Sequence, residues 1–230
     1  MRIVVLGTGM VGRTLAARLT ELNHDVSIGT RDVEQTLARS EPDAKGSAPY
    51  TEWQKLNPTV RLVPFENAGT HGDLIINATA GAQSLTVLHL VGAESLVGKV
   101  LLDLAVPLDY SQGRPPRLLF ANDDSLGEQI QRALPGTHVV KTLNTMHMNV
   151  MTDPSRVPGD HNVFLAGDDD RAKTIVKALL AEFGWPTAAM VDLGGIRQSR
   201  ATEMYAPLLF SLMGLFDTSD LNIAVCHPGS

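Results

Sequence analysis

Short apolar runs alternate with longer amphipathic stretches along most of this chain, which predicts strands and helices taking turns. Ile3-Val4-Val5-Leu6 is rich in β-branched residues and too short for a buried helix, so it reads as a first strand. It runs straight into Gly7-Thr8-Gly9-Met10-Val11-Gly12, and the helix formers Leu15-Ala16-Ala17-Arg18-Leu19 follow. After a turn at Asn23-His24, residues 25–29 read as a second strand. Residues 40–58 are irregular and Pro-rich, with a short helix over 51–56. A strand over 60–63, a brief helix over 65–70 and a fourth strand with its exit loop over 73–81 come next. Residues 85–97 have helical period, and residues 100–106 form a fifth strand closed by Pro107. A polar loop over 110–116 precedes a short edge strand over 118–120. Ser125 with Glu128 three residues on has capping-box spacing and starts a helix that ends near Leu134-Pro135-Gly136. A sixth strand covers 138–143.

A polar bridge over 153–160, carrying Pro154, Pro158 and Gly159, marks the expected domain boundary. Beyond it lie a strand over 162–166, a helix over 168–183 and a strand over 188–193 broken by Gly194-Gly195. The acidic run Asp168-Asp169-Asp170 falls at a helix N-terminus, where helix polarity favours negative charge, which suits it poorly as a metal site. A last helix near 199–215 places Met204, Leu208, Ser211, Leu212 and Leu215 along one face, fit either for the core or for a subunit contact. The expected fold is α/β, a doubly wound parallel sheet over 1–150 with a small C-terminal α/β domain over 151–230.

Composition narrows the class. A chain of 230 residues, 43% hydrophobic and 19% charged, has the makeup of a globular protein. At this length it should bury roughly 70–75% of its unfolded surface. No apolar stretch reaches the ~20 residues of a membrane span, and the N-terminus does not read as a signal peptide. The single cysteine, Cys226, excludes an internal disulfide and a multi-cysteine metal site. These features point to the cytoplasm. A net charge of −6 argues against a nucleic-acid partner but leaves room for a local basic pocket.

The chemistry sits at the glycines. G-x-G-x-x-G between a strand and a helix is the context of a dinucleotide site. Gly7 allows the tight turn, Gly9 lets a diphosphate approach, and Gly12 lets helix and strand pack closely. A glycine turn serving only that packing is the alternative. An NAD site carries Asp or Glu about 20 residues further on, and Gly29-Thr30-Arg31 stands there instead. A hydroxyl and a guanidinium suit a 2′-phosphate, which predicts NADPH; the alternative is a solvated Arg31 beside Asp32. The small residues Ala78, Thr79, Ala80 and Gly81 suit a cofactor wall or a close helix–sheet contact equally. Lys141 reads as an ion pair or an edge charge rather than a catalytic lysine. Met146 and Met148 suit an adaptable apolar wall or simple core packing. His138 and His147 sit near a strand end, where surface or structural roles predominate, and no histidine spacing suggests a metal site.

The glycine motif, Gly29-Thr30-Arg31, Ser125-Leu126-Gly127-Glu128, Lys141-Thr142-Leu143-Asn144-Thr145-Met146, Phe164-Leu165-Ala166-Gly167-Asp168-Asp169, and Asp192-Leu193-Gly194-Gly195 followed by Ser199-Arg200-Ala201-Thr202-Glu203 form one ordered set. The set resembles the NADPH-dependent oxidoreductases of the 8-hydroxy-5-deazaflavin coenzyme, coenzyme F-420, and their bacterial relatives, over nearly the whole chain. A more distant likeness is to the NADPH domain of the six-transmembrane ferric reductases. The resemblance implies a Rossmann fold in which Gly7, Thr8, Gly9, Met10 and Val11 hold the diphosphate. It implies Thr30 and Arg31 at the 2′-phosphate, and Ala78, Thr79 and Val106 beside the nicotinamide. Leu143, Asn144, Thr145 and Met146, with Leu221 from the tail, would line the deazaflavin side. This chain has Asn144 where archaeal members carry His, and Asp32 and Gln35 where they carry further basic residues. The first bears on the second substrate, which could be another flavin-like ring, and the second on the preference for NADPH.

The implied reaction is direct hydride transfer between two flat rings, for which the protein supplies placement at about 3–3.5 Å and exclusion of water. No catalytic side chain and no metal are expected. Two other readings compete: an NADPH reductase of an imine or carbonyl, and a non-catalytic NADPH-binding redox sensor. The resemblance, helped by the apolar stripe of the last helix, also implies a homodimer.

Overall fold

Every second residue of the first strand points into a different hydrophobic core. In the computed structural model, which describes residues 1–42 and 46–228, β1 (Arg2–Leu6) sends Ile3 and Val5 to one face of a sheet and Val4 and Leu6 to the other. Such two-sided burial belongs to a parallel strand covered by helices on both faces. Residues 43–45 of the expected irregular stretch lie outside the described residues.

The chain continues through α1 (Met10–Glu21), β2 (Asp25–Thr30), α2 (Val33–Ala38), α3 (Tyr50–Leu56), β3 (Arg61–Pro64) and α4 (Phe65–His71). Then come β4 (Leu74–Asn77), α5 (Ser84–Val91), α6 (Ala93–Leu96) and β5 (Val100–Asp103). A small hairpin of β6 (Leu108–Asp109) and β7 (Arg117–Leu118) leads to α7 (Leu126–Ala133), β8 (His138–Thr142) and α8 (Met148–Thr152). The chain closes with β9 (Val163–Ala166), α9 (Asp170–Glu182), β10 (Met190–Asp192), α10 (Ser199–Met204) and α11 (Ala206–Phe216).

Eight strands form one sheet in the order β10-β9-β8-β5-β4-β1-β2-β3. From β3 to β8 every pairing is parallel. Strand order reverses between β1 and β4, and a doubly wound sheet binds ligands outside the carboxyl ends of the strands at such a point. Beyond the polar bridge, β9, α9 and β10 make a small α/β unit whose strands are parallel to each other, and β9 joins the large sheet by pairing antiparallel to β8.

The edge strand expected over 118–120 is Arg117–Leu118 and pairs with β6 apart from the large sheet, and β6 and α8 have no counterpart in the sequence expectation. Four further differences have a local reason. The helix expected over 85–97 breaks at Gly92, whose φ of +89° only glycine adopts freely. A short helix, α2, forms after Arg31 because the Asp32 carboxylate accepts the Gln35 N–H at 2.8 Å and caps it. The fifth strand ends at Asp103 rather than 106, since Asp103 turns inward to buried partners. The last helix is two helices, α10 and α11, because Pro207 has no N–H to offer and disfavours continuation from the residue before it. Its expected apolar face is not core: Leu208 is 54% and Leu215 74% exposed, while the buried residues of α11 are Ala206 and Leu209. No described helix is long and apolar enough to cross a membrane.

Candidate functional site

The three glycines of the opening turn take three different roles. Gly7 has φ +113°, and a Cβ there would meet the Ala78 carbonyl oxygen at 2.9 Å. Gly12 packs against the turn itself, where a Cβ would fall 2.1 Å from the Gly7 oxygen. A Cβ on Gly9 would meet nothing within 4 Å. Gly9 precedes α1, whose start has no side-chain cap and no acidic residue in its first turn. The N–H groups of Met10, Val11 and Gly12 and the positive helix end therefore face the space beside Gly9. Arg13 holds the turn from behind, donating to the Thr8 carbonyl at 2.7 Å and the Ala48 carbonyl at 2.6 Å.

Gly7 N–H donates to the Gly29 carbonyl at 3.0 Å, which ties the turn to the end of β2 and so to Thr30 and Arg31. Arg31 is exposed. Thr30 is buried, with its hydroxyl 2.7 Å from that of Thr36. Thr36 gives its own proton to the Asp32 carbonyl at 2.6 Å, so Thr30 is the donor of that pair. As folded, Thr30 fastens the start of α2, and Arg31 stands exposed just past the strand end.

Across the reversal point lie the exits of β4 and β5. Ala78 and Thr79 touch the glycine turn, and Gly81 presses on Val106, whose oxygen would be 2.2 Å from a Cβ on Gly81. The predicted residues Gly7, Ala78, Thr79 and Val106 are thus brought into one continuous wall. Behind it sits a polar group that the sequence reading found only in part. Asn77, Asp103 and Lys141 are aligned neighbours on β4, β5 and β8, and all three are buried. Lys141 pairs with Asp103 at 2.6 Å and with Glu203 of α10 at 2.8 Å. It is an ion pair, but on a central strand and not at an edge. Burial pushes the Lys141 ammonium pKa down, and the two carboxylates more than offset this, leaving it above the ordinary lysine value. A signal for the missed residues existed: Leu-Ile-Ile-Asn and Val-Leu-Leu-Asp each close an apolar run with a polar residue at the same depth.

After β8 the chain turns sharply, with Leu143 at φ +64°, a conformation that costs a leucine energy. The turn buries Asn144, Thr145 and Met146. Asn144 Nδ2 and Thr145 Oγ1 are buried and have no hydrogen-bond partner among the described residues. His147 caps α8, accepting the Asn149 N–H at 3.4 Å. Burial pushes its pKa down, with Asp220 opposing and Arg156 adding to the shift. Met146 packs in the core, and Met148 lies half-buried against it.

The tail is strapped to the bridge beside this turn. Arg156 makes a two-pronged pair with Asp220 at 2.9 and 2.6 Å. His161 faces the Pro154 carbonyl with Nε2, which leaves Nδ1 to accept from Asn222 at 2.9 Å. Asn162 N–H donates to the Ile223 carbonyl at 2.9 Å. Leu221 sits half-buried between Asp220, whose charge reaches His147, and the anchored Asn222. His138 lies on the surface facing Asp169 at 3.4 Å, away from this turn. Among the described residues, no group of three or more His, Cys, Asp or Glu side chains is placed to hold a metal ion.

Residues 2–107 match a family described as NADP oxidoreductase, coenzyme F420-dependent. The F420-dependent NADP reductase of Methanocaldococcus jannaschii is 30% identical over 214 residues, covering 92% of each chain. The chain belongs to this family. The F420-dependent NADP reductase of Methanothermobacter marburgensis is 28% identical over 226 residues, again covering 92% of each chain. A solved structure of a candidate F420-dependent NADP-reductase from Arthrobacter sp. FB24 is 46% identical, with a TM-score of 0.93 over 99% of this chain and 100% of the other. The family likeness therefore extends through the tail and includes both the glycine turn and the 143–148 turn.

Proposed function

We propose that this protein catalyses hydride transfer between NADP(H) and coenzyme F-420, a 5-deazaflavin. The observation that carries the reading is 30% identity to an F420-dependent NADP reductase in an alignment that covers 92% of both chains. The local chemistry supports it. The open side of Gly9, flanked by uncapped N–H groups of α1, suits a diphosphate. The buried, unpartnered amide of Asn144 and hydroxyl of Thr145 suit a ring edged with polar groups.

On this reading Gly7, Thr8, Gly9, Met10, Val11 and Gly12 cradle the diphosphate. Arg31 meets the 2′-phosphate, joined by Thr30 once its hydroxyl turns from Thr36. Ala78, Thr79 and Val106 bear on the nicotinamide. Asn144, Thr145, Met146 and Leu221 bear on the deazaflavin. The bound cofactors would exchange the hydride directly, and the protein's part is to seat two rings face to face and keep water out. No side chain has to accept or donate the transferred hydride. We assign the protein to the cytoplasm on its single cysteine, which forms no disulfide, and we assign the exposed face of α11 to a second copy of the chain.

The test is an absorbance assay of NADPH consumption with oxidised F-420 and, separately, with a free flavin. Turnover with F-420 well above that with flavin is the expected result. Faster turnover with flavin would reassign the second substrate. Tight NADPH binding without oxidation by either ring would make the protein a sensor and not an enzyme.

A further inference from the structure

The row Asn77, Asp103 and Lys141 lies at the carboxyl ends of β4, β5 and β8, with Glu203 of α10 against it, directly behind the wall just described. None of the four side chains would touch either substrate, and the reaction as proposed does not use them. All four are at least 98% buried. Stability alone does not call for such a row, because apolar side chains of similar volume usually replace a buried ion pair with little loss. What hydrogen bonds add, and apolar packing does not, is a fixed position for particular backbone atoms.

Each member of the row ends on the backbone or hydroxyl of a segment at the strands' carboxyl edge. Asn77 Oδ1 accepts from the Thr79 N–H at 3.3 Å and the Thr79 hydroxyl at 2.6 Å. Asn77 Nδ2 donates to Asp103 Oδ1 at 2.8 Å. Ala105 is held by both of its backbone groups: its N–H donates to Asp103 Oδ1 at 3.2 Å, and its carbonyl accepts from Lys141 Nζ at 2.6 Å. Ala105 immediately precedes Val106, whose carbonyl already abuts Gly81. Lys141 Nζ also reaches Glu203, which accepts the N–H groups of Leu126 and Gly127 at 2.8 and 3.0 Å and so seats the start of α7. Lys141 itself stands two residues before Leu143, the left-handed residue that starts the turn through Asn144.

We propose that Lys141, with Asn77, Asp103 and Glu203, is a positioning residue for hydride transfer, setting the relative placement of Thr79, Val106 and the 143–146 turn, and hence of the two rings. This rests on the NADP(H) reading above. The row is a cross-tie: a shift of Lys141 moves the Ala105 carbonyl, and through it Val106 and Gly81, towards or away from the space between the rings.

The test compares two ligands on the full chain. NADPH spans the glycine turn and the wall, whereas 2′,5′-ADP carries the 2′-phosphate and adenosine but has no nicotinamide. Lys141→Met leaves two buried carboxylates without their counter-ion and costs stability, so Asn77→Ala, which spares the ion pair, is measured beside it. Both variants should bind 2′,5′-ADP within about two-fold of wild type but bind NADPH several-fold more weakly, with kcat lower by about ten-fold or more. The deuterium isotope effect on kcat, with NADPH labelled at the transferred position, should rise as chemistry becomes slower than release. Equal weakening of both ligands in the folded variants would overturn the proposal, as would unchanged NADPH affinity and an unchanged isotope effect. The affinity ratio needs no turnover. A wild-type protein inactive with F-420 would sink the functional reading, and the ratio would still decide the role of the row.

Discussion

A methyl group added at Gly9 and one added at Gly12 meet opposite surroundings. At Gly9 the methyl enters open space at an ordinary φ of −73°; at Gly12 it meets the Gly7 oxygen at 2.1 Å. Gly9→Ala should therefore keep the wild-type melting temperature and lose NADPH affinity, by about ten-fold or more if the methyl intrudes on the diphosphate. Gly12→Ala should lower the melting temperature whether or not cofactor is present, by about 1–3 kcal/mol of overpacking. Thermal melts with and without NADPH read both effects, and equal behaviour of the two variants would contradict the assigned roles. At Arg31, loss of a charge-assisted phosphate contact of about 1.5–3 kcal/mol corresponds to roughly 10–100-fold in affinity. Arg31→Ala should weaken NADPH by that range and leave NADH nearly untouched. Titration of both nucleotides checks it, and equal loss for the two would place the 2′-phosphate elsewhere.

Among the elements, α7 shows how a local signal was read correctly and then reused. Ser125 caps it as its spacing suggests, accepting the Glu128 N–H at 3.2 Å. The Glu128 side chain does not complete the box by returning to the cap backbone. It takes the Ser125 hydroxyl at 2.6 Å and a two-pronged Arg200 at 2.7 Å on each side. Arg200 holds the Glu128 carboxyl below the usual range, against burial and with help from Ser125. A carboxylate depressed in the fold adds stability above its unfolded pKa, about 4.3 for glutamate, and loses it as pH falls through the lower folded value. Asp220, held down by Arg156, adds in the same direction at the tail. Stability should fall on acidification below about pH 4.3, and Glu128→Gln should be less stable at pH 7 with a flatter acid limb. Urea melts between neutral and acid pH measure this. An acid limb identical to wild type would show that the clamp carries no linkage.

For the whole molecule, α11 carries three exposed apolar side chains, Leu208, Leu215 and Phe216. Burying them in a homodimer predicts a sedimentation mass of two chains at micromolar concentration. Leu208→Glu together with Leu215→Glu should give a monomer, and a wild-type monomer would remove the dimer from the account. The alternation of apolar runs and the G-x-G-x-x-G turn were enough to read the parallel sheet, because strand burial and tight turns are set by neighbours in the chain. So too were the capping serine and the place of Arg31. Four things were decided only by tertiary contact. Lys141 needs Asp103 and Glu203, 38 and 62 positions away, before it becomes a buried tie and not an edge charge. The Thr30 hydroxyl is engaged by Thr36, on a helix capped by Asp32. The apolar positions of the last helix face solvent because Ala206 and Leu209 take the core side. The small C-terminal unit joins the main sheet because β9 finds the open edge of β8 and runs against it. Chain order determined which elements form, since periodicity and turn chemistry act over a few residues. Which polar groups meet across strands, and which apolar face is left bare, depends on distances that close only when the sheet does.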